Sequence, residues 1–155
     1  MKFDDTDSRI IRNLQRDART NFVAIAKECR VSVDTIIKRL EKLQRFGVVK
    51  GTTILIDPRM IGYDGLASME INVEPVHVNE IVDQMRKMSG VTFCTTTMGV
   101  HNIFAVAICP SMKELNNLRE SVKVLPYVRD VKTSIWIEDI LLCPENFELD
   151  QLLKR

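Results

Sequence analysis

Ser32-Val33-Asp34-Thr35-Ile36-Ile37-Lys38-Arg39 opens an amphipathic helix whose exposed side carries Asp34, Thr35, Lys38 and Arg39. Ile36, Ile37, Leu40 and Leu43 repeat at helical spacing, and Ser32 is a good N-cap for the run. A shorter helical pattern, Phe22 to Cys29, comes just before it, with Phe22, Val23, Ile25 and Ala26 on its buried face and Arg30-Val31-Ser32 as the turn. Two helices joined by such a short turn are the helix-turn-helix unit, whose second helix enters a DNA major groove.

Working outward, a first helix is expected from about Thr6 to Asp17, with Ile10, Ile11 and Leu14 as its apolar stripe and acidic residues at its N-terminus. Arg9, Arg12, Arg16 and Arg19 fall on its polar side, and Thr20 or Asn21 caps the next helix. Gly47, just after Phe46, reads as a helix stop. The period then changes. Val48 to Ile56 is β-rich and predicts a wing or a linking strand, ended by Asp57-Pro58, with Gly62 and Gly65 as breakers before the next element.

The remainder alternates. Strands are expected at Leu66–Val73, Val91–Met98, Ile103–Cys109 and Val128–Glu138, with helices at Asn79–Met88 and Ser111–Leu125. The second helix opens with Ser111-Met112-Lys113-Glu114, a capping-box pattern. The order βαββαβ is the ferredoxin-like plan. Ile103 to Ile108 is apolar on both faces, and the last strand carries Val131, Ile135 and Ile137 on one side and Trp136 on the other. Strands apolar on both faces need cover on both, and a second copy of the chain is the economical cover. The fold class is therefore α+β. Residues 1–51 form a helix-turn-helix domain, winged or three-helix, 52–64 a linking strand and hinge, 65–143 a βαββαβ dimerisation and effector domain, and 144–155 a C-terminal tail helix with Phe147, Leu149, Leu152 and Leu153.

A chain of 155 residues with 45% hydrophobic and 28% charged residues has the make-up of a folded soluble protein. No apolar run approaches the roughly 20 residues of a membrane helix, and Met1 to Asp5 has no signal-peptide core, so no membrane association and a cytoplasmic location are expected. The net charge of +1 hides an asymmetry: residues 1–51 hold 12 Lys and Arg against 7 Asp and Glu, and the rest hold 10 against 14. A basic front half suits a polyanion. Cys29, Cys94, Cys109 and Cys143 are too widely spaced for a zinc site. No nucleophile elbow, P-loop, paired-His zinc motif or dinucleotide fingerprint is present, so neither enzymatic activity, a metal nor a cofactor is expected.

The pieces in order resemble the Lrp/AsnC family, the feast/famine regulators, over nearly the whole chain. The resemblance is carried by Asp4 to Ile11, Ala18 to Ala26, Val31 to Leu40 and the exit Gly47-Val48-Val49-Lys50-Gly51, then Asp57-Pro58 and Ile61-Gly62-Tyr63. It implies a DNA-binding transcription regulator whose C-terminal half is the RAM, or ACT-like, domain. It also implies a homodimer that assembles to a tetramer or octamer, and a small-molecule effector, often an amino acid, bound between dimers. The sequence departs from the family in one loop. Where the family commonly shows Gly-Asp-x-Asp, this chain has Gly99-Val100-His101-Asn102, and neither Val100 nor Asn102 can pair with an ammonium group as a carboxylate would. Tyr127 likewise replaces the glycine of the usual Leu-Pro-Gly-Val.

The candidate DNA contacts are Asp34, Thr35, Lys38 and Arg39 from the second helix of the unit, Thr20, Asn21 and Ser32 at helix N-termini for phosphates, and Lys50 beyond them. A solvated helix face with Ser32 as a cap only is the plainer alternative. The candidate effector contacts are Thr97, Gly99, Val100, His101 and Asn102 in the loop, with Thr133 and Ser134 nearby; an ordinary hairpin needing Gly99 for its backbone is the alternative. Two further functional readings stay open at this level: an architectural DNA-binding protein without an effector, and a redox sensor using Cys94, Cys109 or Cys143, which requires an exposed thiol of low pKa.

Overall fold

A computed structural model describes residues 3–138. The expected tail helix at 144–155 and Cys143 lie outside the described residues. The chain divides into two compact units between Leu55 and Ile56.

The first unit is three helices: α1 (Asp5–Arg16), α2 (Phe22–Cys29) and α3 (Val33–Arg45). Each begins at a side chain that satisfies an orphan backbone N–H. Asp4 caps α1 and accepts from the Asp7 N–H at 3.0 Å, while the Asp7 carboxylate accepts from the Asp4 N–H at 3.2 Å. Asn21 caps α2 through the Val23 N–H at 2.9 Å, and Ser32 caps α3 through the Thr35 N–H at 3.2 Å. Arg30 closes α2 in the left-handed region at φ 57°, and Gly47 follows α3 at φ 71°. Ile10, Ile25, Ala26, Ile36 and Leu43 are buried together, with Leu14, Phe22, Leu40 and Val49 packed against them. Ile37 is not among them. It stands 36% exposed on the outer side of α3, so the expected apolar stripe is narrower than its spacing suggests.

The expected wing or linking strand does not form: among the described residues, 48–56 contain no strand. Extended backbone needs a neighbouring strand for its N–H and C=O groups, and none pairs with it here. Ile54, Leu55 and Ile56 are left 76%, 70% and 56% exposed.

The second unit holds β1 (Gly65–Val73), α4 (Val78–Met85), β2 (Val91–Thr96), β3 (Ile103–Cys109), α5 (Met112–Lys123) and β4 (Val128–Ile135). The strands form one antiparallel sheet in the order β2-β3-β1-β4, which is the expected βαββαβ plan. Alternation sends Met69, Ile71 and Val73 of β1 and Ile103, Ala105 and Ala107 of β3 to the helix side. There they meet Ile81, Val82 and Met85 of α4 and Leu115, Leu118 and Val122 of α5. Burying each larger aliphatic side chain contributes about 2 kcal/mol. Gly65 is needed where β1 meets the chain before α5, because a Cβ there would lie 2.6 Å from the Ser111 carbonyl oxygen.

The other sheet face is open. It carries Phe93 and Thr95 of β2, Phe104, Val106 and Ile108 of β3, Ser68 and Glu70 of β1, and Lys132 and Ser134 of β4, matched in register. The face is thus apolar on the β2–β3 half and, apart from Leu66 opposite Ile108, polar on the β1–β4 half. Strand β4 ends at Ile135 instead of Glu138, which leaves Ile137 84% exposed and outside the sheet.

Tyr127 takes the backbone conformation that the replaced glycine would take, at φ 68°. Its ring stacks on His77 with centroids 3.5 Å apart and planes within 4°. A left-handed non-glycine residue costs about 1–2 kcal/mol, and an aromatic stack returns about 0.5–1.5 kcal/mol. Tyr127→Gly is therefore expected to leave stability within about 1 kcal/mol of wild type, whereas Tyr127→Ala keeps the strain, loses the stack and destabilises by about 1 kcal/mol. Urea denaturation of the two variants reads the difference; equal losses would show that the backbone at 127 is not strained.

Candidate nucleic-acid interface and effector loop

The turn between α2 and α3 presents the N-terminal half of α3. Asp34 and Lys38 are exposed and have no side-chain partner among the described residues, and Ile37 lies beside them. The Thr35 hydroxyl is 2.8 Å from that of Ser32, so both are partly committed to the cap. At the start of α2, Asn21 accepts through its carbonyl oxygen and keeps its amide donors outward, while the Thr20 hydroxyl donates to the Asp17 carbonyl at 2.7 Å. Lys50 is exposed, beyond the three helices.

Arg39 does not belong with these residues. Its guanidinium turns inward and donates to Asp4 at 2.6 Å and to Asp7 at 3.0 Å. The side chain of Asp7 is 1% exposed. The two carboxylates that start α1 therefore also hold α3. Burial would push the Asp4 carboxyl up, but the Arg39 hydrogen bond, the Asp7 N–H and the Arg39 charge hold it below the usual carboxylate range. The hydrogen bond that Arg39 donates to Asp4 raises Arg39 in turn. Nη1 of Arg39 is thus spent on two carboxylates of α1, and the side chain clamps α3 to α1, a role that competes with the contact to DNA expected of it.

The effector candidates divide. Thr97 donates to the His101 carbonyl at 2.8 Å and closes the β2–β3 loop with the Asn102 carbonyl at 3.0 Å. Asn102 spends its side chain on β1: it accepts from the Val73 N–H at 2.9 Å and donates to the Val73 carbonyl at 2.6 Å. It acts as a backbone bridge between the loop and β1. His101 is not an exposed turn residue; its side chain is 11% exposed, with Nδ1 3.3 Å from Glu70 and Nε2 3.8 Å from Asp130. Gly99 has open space around it and no positive φ, so the hairpin does not require glycine there. Thr97, Val100 and His101 share a shallow recess of about 270 Å³ with Glu70, Ile103 and Phe104.

Thr133 and Ser134 are not part of that recess. They pair with Met69 and Ser68, well along β1 from the Val73 end where the loop docks. They also point to opposite sides of the sheet. Thr133 faces a groove between α5 and β4 with Met112, Leu115, Asn116, Arg119 and Ile135, and Ser134 faces the open side. Sequence reasoning missed Glu70, which strand alternation alone would have set on the same face as Phe104. It also missed Asn116 and Arg119, for which no local signal exists.

The three described thiols are shifted away from sensor character. Burial pushes Cys94 up, against a lowering by Arg86, and pushes Cys109 up, with Glu114 adding to it. Cys29 is raised by burial and by Glu28. All three move away from the low pKa that thiol chemistry at neutral pH needs. Among the described residues no group of three or more His, Cys, Asp or Glu could hold a metal ion, and no helix is long and apolar enough to cross a membrane.

Known proteins resemble both units. The AsnC-type helix-turn-helix domain matches residues 3–44, and the Lrp/AsnC ligand binding domain matches residues 66–143. An HTH-type transcriptional regulator of Pyrococcus abyssi is 30% identical over 147 residues, 95% of this chain and 98% of that protein. The regulatory protein AsnC of Haemophilus influenzae is 29% identical over 141 residues, 90% of this chain and 94% of that one. The solved structure of E. coli AsnC superposes with a TM-score of 0.79 at 25% identity, covering 90% of this chain and 95% of that chain.

Proposed function

The chain belongs to the Lrp/AsnC family of transcription regulators, and from that premise we propose that it reads an operator as a homodimer through the outer edge of α3. Its N-terminal unit is the DNA-binding half and its C-terminal unit the ligand-binding half. The observation that carries the reading is the division of labour on α3. Arg39 is tied to α1, whereas Asp34, Ile37 and Lys38 are free of the fold on one contiguous side. Lys38 suits guanine O6 and N7 or a phosphate, Asp34 a cytosine amino group, and Ile37 a thymine methyl. Asn21, Ser32 and Lys50 supply backbone positioning.

Two such units on a two-fold axis read half-sites about one helical turn apart, or a multiple of it. The apolar half of the open sheet face supports the second copy as its cover, and further assembly into a tetramer or octamer would add interfaces beyond that one. Catalysis has no part in this reading, and its place of work is the compartment that holds the chromosome. The test is a gel-shift titration at fixed salt on DNA selected with the wild-type chain. Lys38→Ala is expected to weaken binding about tenfold at an unchanged melting temperature, and Ile37→Ala to lower discrimination between thymine and uracil in the half-site. Wild-type affinity in Lys38→Ala would refute the assignment of α3.

A further inference from the structure

The groove between α5 and β4 has a composition that the proposed regulator role does not by itself explain. Its volume is about 210 Å³, room for roughly ten non-hydrogen atoms of a small ligand. Met112, Leu115 and Ile135 make an apolar floor, and Asn116 and Arg119 supply donors at the rim. Thr133 lines the groove, and its hydroxyl is buried without a hydrogen-bond partner among the described residues, close beneath the groove wall. Buried hydroxyls in native proteins are nearly always paired, so this one lacks an acceptor.

The charge at the groove has one sign. Arg119 lines it, and among the described residues no Asp or Glu does. The nearby Glu120 lies 3.3 Å from Arg119 and 3.5 Å from Lys123, so the three together leave one positive charge. An anion is attracted, whereas an ammonium group would meet the Arg119 cation and, among the described lining residues, no carboxylate, Glu120 being paired with Arg119 and Lys123 outside the lining. The β2–β3 loop shows a matching loss: Val100 is neutral, and Asn102 is occupied with Val73. Among the described residues that line the loop recess the one carboxylate, Glu70, already faces His101.

We propose that the α5–β4 groove is a binding site for a small apolar carboxylate that lacks an amino group, held by Arg119, Asn116 and Thr133 over the floor of Met112, Leu115 and Ile135. The guanidinium fork takes the carboxylate, and Thr133 donates to one of its oxygens. A branched alkyl chain of about five or six carbons fills the remaining volume. The inference rests on the C-terminal unit being the ligand-binding half, but its test is run without DNA, so its failure is separable from failure of operator binding.

The test is isothermal titration calorimetry on the full chain with 4-methylpentanoate, leucine and isoamylamine. 4-Methylpentanoate is expected to bind once per chain, with leucine at least about tenfold weaker and the amine silent. Arg119→Gln should weaken the carboxylate about tenfold or more, and Arg119→Lys less, because the charge stays while the fork is lost. Thr133→Val should weaken binding several-fold without lowering the melting temperature, since the hydroxyl has no partner to lose. Absence of heat with 4-methylpentanoate, leucine binding as tightly, or undiminished binding by folded Arg119→Gln and Thr133→Val would each overturn the assignment.

Discussion

Arg39→Ala is expected to lower the stability of the N-terminal unit by about 2–3 kcal/mol and to lose operator binding as a consequence of that loss. The reason is what stays behind. Asp7, with a side chain only 1% exposed, is left with its charge in a poorly hydrated place, while the half-exposed Asp4 can turn to water. Folded small domains have only about 5–15 kcal/mol in hand, and a three-helix unit sits near the lower end. Arg39→Lys should recover part of the loss, since the ammonium keeps the charge and the donors but on a shorter side chain with a differently placed nitrogen. Circular dichroism melts of the three proteins test this: an Arg39→Ala melt that matches wild type while DNA binding disappears would return Arg39 to the set of direct contacts. Acid should act on the same clamp. The folded Asp4 carboxyl is held below its ordinary value, so its contribution is fully present above the ordinary carboxylate range, about pH 4, and is lost as pH falls through the lower folded value.

The same residue shows what a sequence reading can and cannot see. The helices were legible because their signals are local: a cap, a period of 3.6 and a stop fall within a few residues of one another. Asn21 and Ser32 acted as caps where their positions predicted, and Ile103–Cys109 is a strand with the expected bounds. Arg39 was assigned to DNA because a cation on the polar side of a recognition helix looks free. Its partners stand 32 and 35 residues earlier in the chain, and no spacing rule joins them. Asn102 was invisible for the same reason, since its partner Val73 is 29 residues away. The strand expected at 48–56 failed differently. Its β propensity is real, but propensity supplies no neighbour, and in a single chain Ile54 to Ile56 have nothing to pair with. The α5–β4 groove had no sequence signature because it draws on a helix face and a strand face at once.

Val106→Glu is expected to raise the dimer dissociation constant by at least about a hundredfold and to weaken operator binding with it. Val106 stands at the centre of the apolar half of the open face, opposite Phe93 on one side and Ser68 on the other. In a face-to-face dimer a carboxylate there loses its water and finds no cation within the apolar patch, because Lys132 lies on the polar half. The neighbours Ala105 and Ala107 point into the helix side, so the substitution leaves the buried core untouched and the monomer should keep its secondary structure. Each separated chain still carries a sound reading head. It then has one half-site to hold, and the second binding event ceases to be intramolecular. Sedimentation at micromolar concentration should give the monomer mass, with weakened binding to the full operator but little change on an isolated half-site. A Val106→Glu protein that sediments as wild type would rule out the open face as the dimer surface and shift the search to the exposed Ile54 to Ile56 segment, which has the apolar character to pair with a second copy of itself.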